Sequence, residues 1–190
     1  MEVLFYSSLG SIITLLIKWL IDLITDSIKE KREHRKMLFQ RKSEAAERAM
    51  SYYVELYENW YILKDAMSRF TINPSPAVIE ILNTAISNSQ RLYAQRGERL
   101  NAINLYYDFF DIEKKYSINE INNVLYSLND VISKTYRDIF NAKQNGLNDE
   151  QIIPIYSLLT KEYNLYAEAI DGLLLSIAEV QARLRKDYEI

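Results

Sequence analysis

Residues 43–70 read SEAAERAMSYYVELYENWYILKDAMSRF. Within them Ala45, Ala49, Tyr52, Leu56, Trp60, Leu63, Met67 and Phe70 recur at steps of 4, 3, 4, 4, 3, 4 and 3. That period puts every one of them on the same stripe of a helix, the pattern of a helix packed in a bundle. No Pro or Gly occurs between Ser11 and Asn73, so nothing in the chain interrupts the helix on its N-terminal side.

On the C-terminal side, Thr71-Ile-Asn-Pro74-Ser-Pro76 stops it. Ser75 as N-cap and Pro76 at the first helical position start the next helix. Its apolar face carries Leu82, Ile86, Tyr93, Leu100, Ile103 and Tyr107, and the spacing predicts helix to about residue 110. Ser89, Arg96 and Gly97 weaken its middle, where a kink is expected. Ser117-x-x-Glu120 reads as a capping box for a third helix with the stripe Ile121, Leu125, Leu128, Ile132 and Ile139. Asn145-Gly146 ends it. Asn148-x-x-Gln151 opens a fourth, with Pro154 near its start or at a kink. Ile152, Tyr156, Leu159, Tyr163, Tyr166, Ile170, Leu173, Ile177, Val180 and Leu184 then alternate steps of 4 and 3. No alternating strand pattern appears. The expected fold is all-α: an antiparallel four-helix bundle over residues 43–190, with long coiled-coil-like helices at about 43–70, 76–110, 118–144 and 149–187.

Residues 3–25 read VLFYSSLGSIITLLIKWLIDLIT, and only Lys18 and Asp22 are charged. As a helix, such a stretch is about 35 Å long, enough for a hydrocarbon core of about 30 Å. Neither a basic region before it nor a small-residue cleavage site after it marks a signal peptide. The residues that follow are basic: 28–48 hold eight Lys or Arg against four Glu. The expectation is a transmembrane helix over 1–27 that continues through a basic juxtamembrane collar over 28–42 into the bundle, with the charged stretch near Lys29–Lys36 the place for a bend. Lys29, Lys31, Arg32, Arg35, Lys36, Arg41 and Lys42 then form a collar at the lipid headgroups. The positive-inside rule places the N-terminus outside and the bundle on the cytoplasmic side of the inner membrane.

Ser7, Ser11, Thr14, Lys18, Asp22, Thr25 and Lys29 are spaced 4, 3, 4, 4, 3 and 4, with Gly10 beside them. They form one narrow polar stripe on an apolar rod. In a membrane such a stripe faces other helices, through which spans associate or line a pore. In a protein assembly it is the solvated face of a buried helix.

Composition excludes much chemistry. The chain of 190 residues has no Cys, four Gly and one His, His34, which lies in the basic run. Thiolate sites, Gly-rich phosphate loops and two-imidazole metal sites are therefore out of reach. Asp108 with Glu113-Lys114-Lys115 faintly matches a nuclease metal set, but that set needs a sheet, and a charged loop is the better reading. Residues 49–190 carry 14 basic and 19 acidic side chains, which argues against a nucleic-acid partner. No catalytic residue, cofactor or metal is expected. Tyr is abundant, with 15 copies. Tyr53, Tyr57 and Tyr61 lie at i, i+4 and i+8, either as a face for a protein partner or as boundary positions with rings in the core.

The expected function is a non-enzymatic single-span membrane protein whose cytoplasmic bundle oligomerises or binds a partner. In its sharper form it is a small pore-forming or membrane-perturbing effector of a bacterial defence or toxin system. The alternative is a soluble structural or adaptor bundle whose residues 3–25 are buried in a homo-oligomer or against a partner.

Overall fold

The computed structural model describes the backbone of residues 2–186 and the side chains of residues 18–186. The described residues are helical throughout, joined by short turns, with no strand among them. The chain divides into two units, Met1–Glu44 and Ala45–Ile190. Helix α1 is assigned without interruption from Glu2 to Ile72. No Gly or Pro lies in the basic run to break the hydrogen-bond ladder.

The second unit is a helical bundle. Its core is built by α1 from Ala45 onward, α2 (Pro76–Leu100), α4 (Ile118–Gln144) and α7 (Tyr163–Lys186). All eight seam residues of α1 are at most 4 % exposed. Cross-links between the helices show their directions. Asn59 of α1 bonds Ser89 of α2, while Glu55, one turn earlier, pairs with Arg99, further along α2. Lys64 pairs with Asp171 of α7, while Phe70 stacks edge-on against the earlier Tyr156. Ser127 meets Tyr166, and Ile121 lies beside Gly172. In each pair rising numbers meet falling ones, so neighbouring helices run antiparallel. At Gly172 α4 and α7 come so close that a Cβ would sit 2.6 Å from Ile121 Cδ1.

The connections differ from expectation at three places. α2 ends at Leu100, not near residue 110, and a 3₁₀ turn (Ile103–Leu105) and short α3 (Phe110–Lys115) follow. Asp108 marks the start of α3: its carboxylate accepts the Phe110 N–H at 2.9 Å, an Asx turn. Arg183 fastens it, donating to the Asp108 carbonyl at 3.0 Å and forking onto Asp111 at 2.8 and 2.6 Å. At the start of α4, Ser117 is left-handed (φ 49°, ψ 46°) and its side chain caps nothing, so the expected capping box does not form. The chain leaves α3 within two residues, and this tight turn takes the dihedral angles that a cap would need. The fourth helix is segmented into α5 (Asp149–Ile152), a 3₁₀ turn at Ile153–Tyr156, α6 (Ser157–Lys161) and α7. Pro154 lacks the N–H that a continuous helix would use there.

Other local signals form as the residues dictate. Ser75 caps α2 through the Val78 N–H at 3.4 Å. Asn148 and Gln151 exchange side-chain and backbone bonds at 3.0 Å. Gly146 (φ 79°) closes α4, with Leu147 N–H on the Ala142 carbonyl at 3.1 Å and its own N–H on Lys143 at 3.0 Å.

Among the described residues no helix is long and apolar enough to cross a membrane. The single-span reading is therefore incorrect, and with it the pore-forming effector built upon it. The physical reason is charge: Lys18, Asp22, Asp26 and Lys29 put a charge on every turn of α1 from residue 18 onward. Each costs up to about 3 kcal/mol at a bilayer centre.

Candidate functional site

In the first unit every residue from 18 to 41 is exposed. The apolar ones are large: Trp19 is 60 % exposed, Ile24 51 % and Ile28 48 %, with Leu20, Ile21 and Leu23 in the same range. At 100° per residue these six side chains sweep an arc of about 200°, twice the stripe that a helix needs to cover one core. The remaining arc is polar. Lys18 and Asp22 are exposed on it, Thr25 Oγ1 donates to the Ile21 carbonyl at 2.7 Å, and Asp26 approaches Lys29 at 4.0 Å. The other members of the stripe, Ser7, Gly10, Ser11 and Thr14, lie outside the residues whose side chains are described. Further along, Lys29, Lys31, Arg32, Arg35, Lys36 and Arg41 are exposed and Lys42 is half-buried.

The tyrosine series is split by the bundle. Tyr53 and Tyr57 are half-buried and pack on the core, whereas Tyr61 is 59 % exposed. Two of the three rings are thus used in packing. His34 is exposed, and among the described residues no group of His, Asp or Glu is placed to hold a metal. The Asp108–Lys115 segment is fastened to α7: Asp111 to Arg183, and Lys115 and Tyr116 to Glu179 at 2.7 and 2.9 Å. Asp111 and Lys115 are thus paired in structure.

The bundle holds two neighbouring cavities, partly open to solvent, that sequence reasoning missed. One, of about 70 Å³, lies among Tyr52, Tyr53, Tyr93 and Arg96 over an apolar floor that includes Leu56, Phe109 and Ile177. The other, of about 100 Å³, lies among Trp60, Ser89, Gln90, Tyr126 and Asn129. Tyr93 and Asn122 line both. Two buried polar atoms here have no hydrogen-bond partner, Tyr52 Oη and Trp60 Nε1. Burial pushes the Tyr53 and Tyr93 hydroxyls up to about 12, with Arg96 pulling the other way. The sequence signal was present but quiet: Arg96 interrupts the apolar face of α2 at a position that periodicity assigns to the interior.

No protein-family model, curated protein or solved structure matches this chain.

Proposed function

We propose that the protein is a non-enzymatic structural or adaptor bundle that assembles with copies of itself through the N-terminal part of α1. The observation that carries this reading is the run of exposed residues from 18 to 41, apolar over about 200° of the helix between Trp19 and Ile28. A helix with no tertiary partner is marginal in water, because helices gain most of their stability by packing an apolar face. This one has an apolar face and nothing of its own unit to pack it on.

A second copy supplies what is missing. The six apolar side chains expose roughly 100 Å² each, so two copies bring together on the order of 1,200 Å², the lower end of stable interfaces. The breadth of the arc favours more than one neighbour per helix, that is, an assembly larger than a dimer. The polar stripe with Lys18, Asp22 and Lys29 then remains in water on the outside of the assembly. The bundle of residues 45–190 has its own core and is carried by the assembly as a separate folded body.

Sedimentation velocity on the full chain tests this. The wild type is expected above the monomer mass of 22.4 kDa. The double variant Leu20→Glu/Ile24→Glu is expected to sediment as a monomer with its helical circular dichroism retained. A wild type that is monomeric across micromolar concentrations contradicts the proposal.

A further inference from the structure

The cavity at Arg96 gathers groups that have nothing to bind. Arg96 stands exposed on its rim without an ion pair or hydrogen bond among the described residues. Three tyrosines line it with Arg96. Tyr52 is buried with an orphan hydroxyl, and the half-buried Tyr53 and Tyr93 make no hydrogen bond among the described residues. A buried hydroxyl without a partner is unfavourable by about 1–3 kcal/mol. Here unused O–H donors and one unused guanidinium share a cavity.

Arg96 can only donate and the tyrosine hydroxyls can donate beside it, so an acceptor satisfies all of them at once. Phenols whose pKa stands above the ordinary value stay protonated at neutral pH and keep their donor hydrogens. A guanidinium offers paired N–H groups in the plane that a carboxylate fits. The floor beneath is apolar, and a neighbouring cavity of about 100 Å³, which shares Tyr93 and Asn122 with it, is lined by Trp60 with its orphan Nε1. Taken together, the two volumes are on the order of the cavity that accepts benzene.

The geometry points to a binding site for a small monocarboxylate with a planar apolar body. Its carboxylate lies against Arg96 and the tyrosine hydroxyls, and its ring extends between Tyr93 and Asn122 toward Trp60. Glu113 also lines the rim. Its negative charge opposes the ligand and limits affinity, and it excludes dicarboxylates more strongly. The site lies wholly within the second unit and does not depend on how the first unit assembles.

Trp60 makes the test specific. The chain has two tryptophans, so ¹⁵N-labelled full-length protein gives two indole N–H signals, and Trp19→Phe assigns the one from Trp60. Titration with sodium benzoate is expected to move the Trp60 signal saturably and leave Trp19 in place. Arg96→Gln, at an exposed position that leaves the core intact, is expected to weaken benzoate at least tenfold, and benzyl alcohol should bind wild type at least tenfold more weakly than benzoate. Glu113→Gln is expected to tighten benzoate several-fold, a response that a merely structural arginine would not produce. No saturable movement of Trp60 with benzoate overturns the proposal. So does equal affinity in the Arg96→Gln variant, or benzyl alcohol binding as tightly as benzoate.

Discussion

Asn59 Nδ2 donates to Ser89 Oγ at 2.6 Å and to the Ala85 carbonyl at 3.0 Å, tying α1 to α2 in the middle of their interface. Both side chains are buried, Asn59 at 8 % exposure and Ser89 at 4 %. A buried amide in a bundle is tolerated when its donors are used, and it fixes which residues face each other. Asn59→Ala removes the donor and leaves the Ser89 hydroxyl without its partner, so it is expected to lower stability by about 2 kcal/mol. In a double-mutant cycle, adding Ser89→Ala should cost clearly less than it does in wild type. Urea midpoints of the four proteins check this, and simple additivity would show that the pair is not coupled.

Gly146 sits at φ 79° with its own N–H and that of Leu147 returned to the end of α4. Nothing crowds a Cβ there, so the penalty for a side chain is purely conformational. Gly146→Ala is expected to destabilise by about 1 kcal/mol, whereas Gly97→Ala, in the last turn of α2 with open space around it, should stabilise by up to about 1 kcal/mol. Thermal melts of the two variants should move in opposite directions from wild type.

The acid response follows from three paired carboxylates. The hydrogen-bonded Arg183 fork holds Asp111 down at about 2. Lys115, with Tyr116, lowers Glu179, and Arg99 lowers Glu55. Each group is depressed in the folded state, so its contribution is fully present above the ordinary carboxylate range of about 4 and is lost as the pH falls toward about 2. Denaturant midpoints should therefore be flat from neutral pH to about 5 and fall below about 4. Asp111→Asn should make the fall shallower. An unchanged slope in that variant would show that the Arg183 pairing does not contribute.

The helical bundle was legible because its signal is repeated. The seam of residues 45–70 and the 4, 3 alternation of residues 152–184 fall on buried positions almost throughout, with half-buried Tyr163 as the exception in the second. Single-residue signals were less dependable. Asn148 and Ser75 cap as their type suggests, but Ser117 does not, because whether a serine caps depends on dihedral angles set by the preceding turn. The fastening of the segment after α2 was missed since Asp108 and Arg183 are 75 residues apart, and no local pattern reports such a contact. The N-terminal run was misjudged for a different reason: hydropathy tells that a segment avoids water but does not tell what covers it. At Arg96 periodicity marked only an interruption of an apolar face, and it carried no sign of the cavity beside it.

The absence of native cysteine allows the central claim, self-association through α1, to be tested at a single residue. Ile24→Cys places one thiol within the exposed apolar arc, and Phe140→Cys places one on α4, where Phe140 is 55 % exposed and outside that arc. With mild oxidant at micromolar protein, Ile24→Cys is expected to convert largely to a disulfide-linked dimer on non-reducing gels, while Phe140→Cys stays monomeric. Equal cross-linking of both variants, or of neither, would contradict self-association through α1.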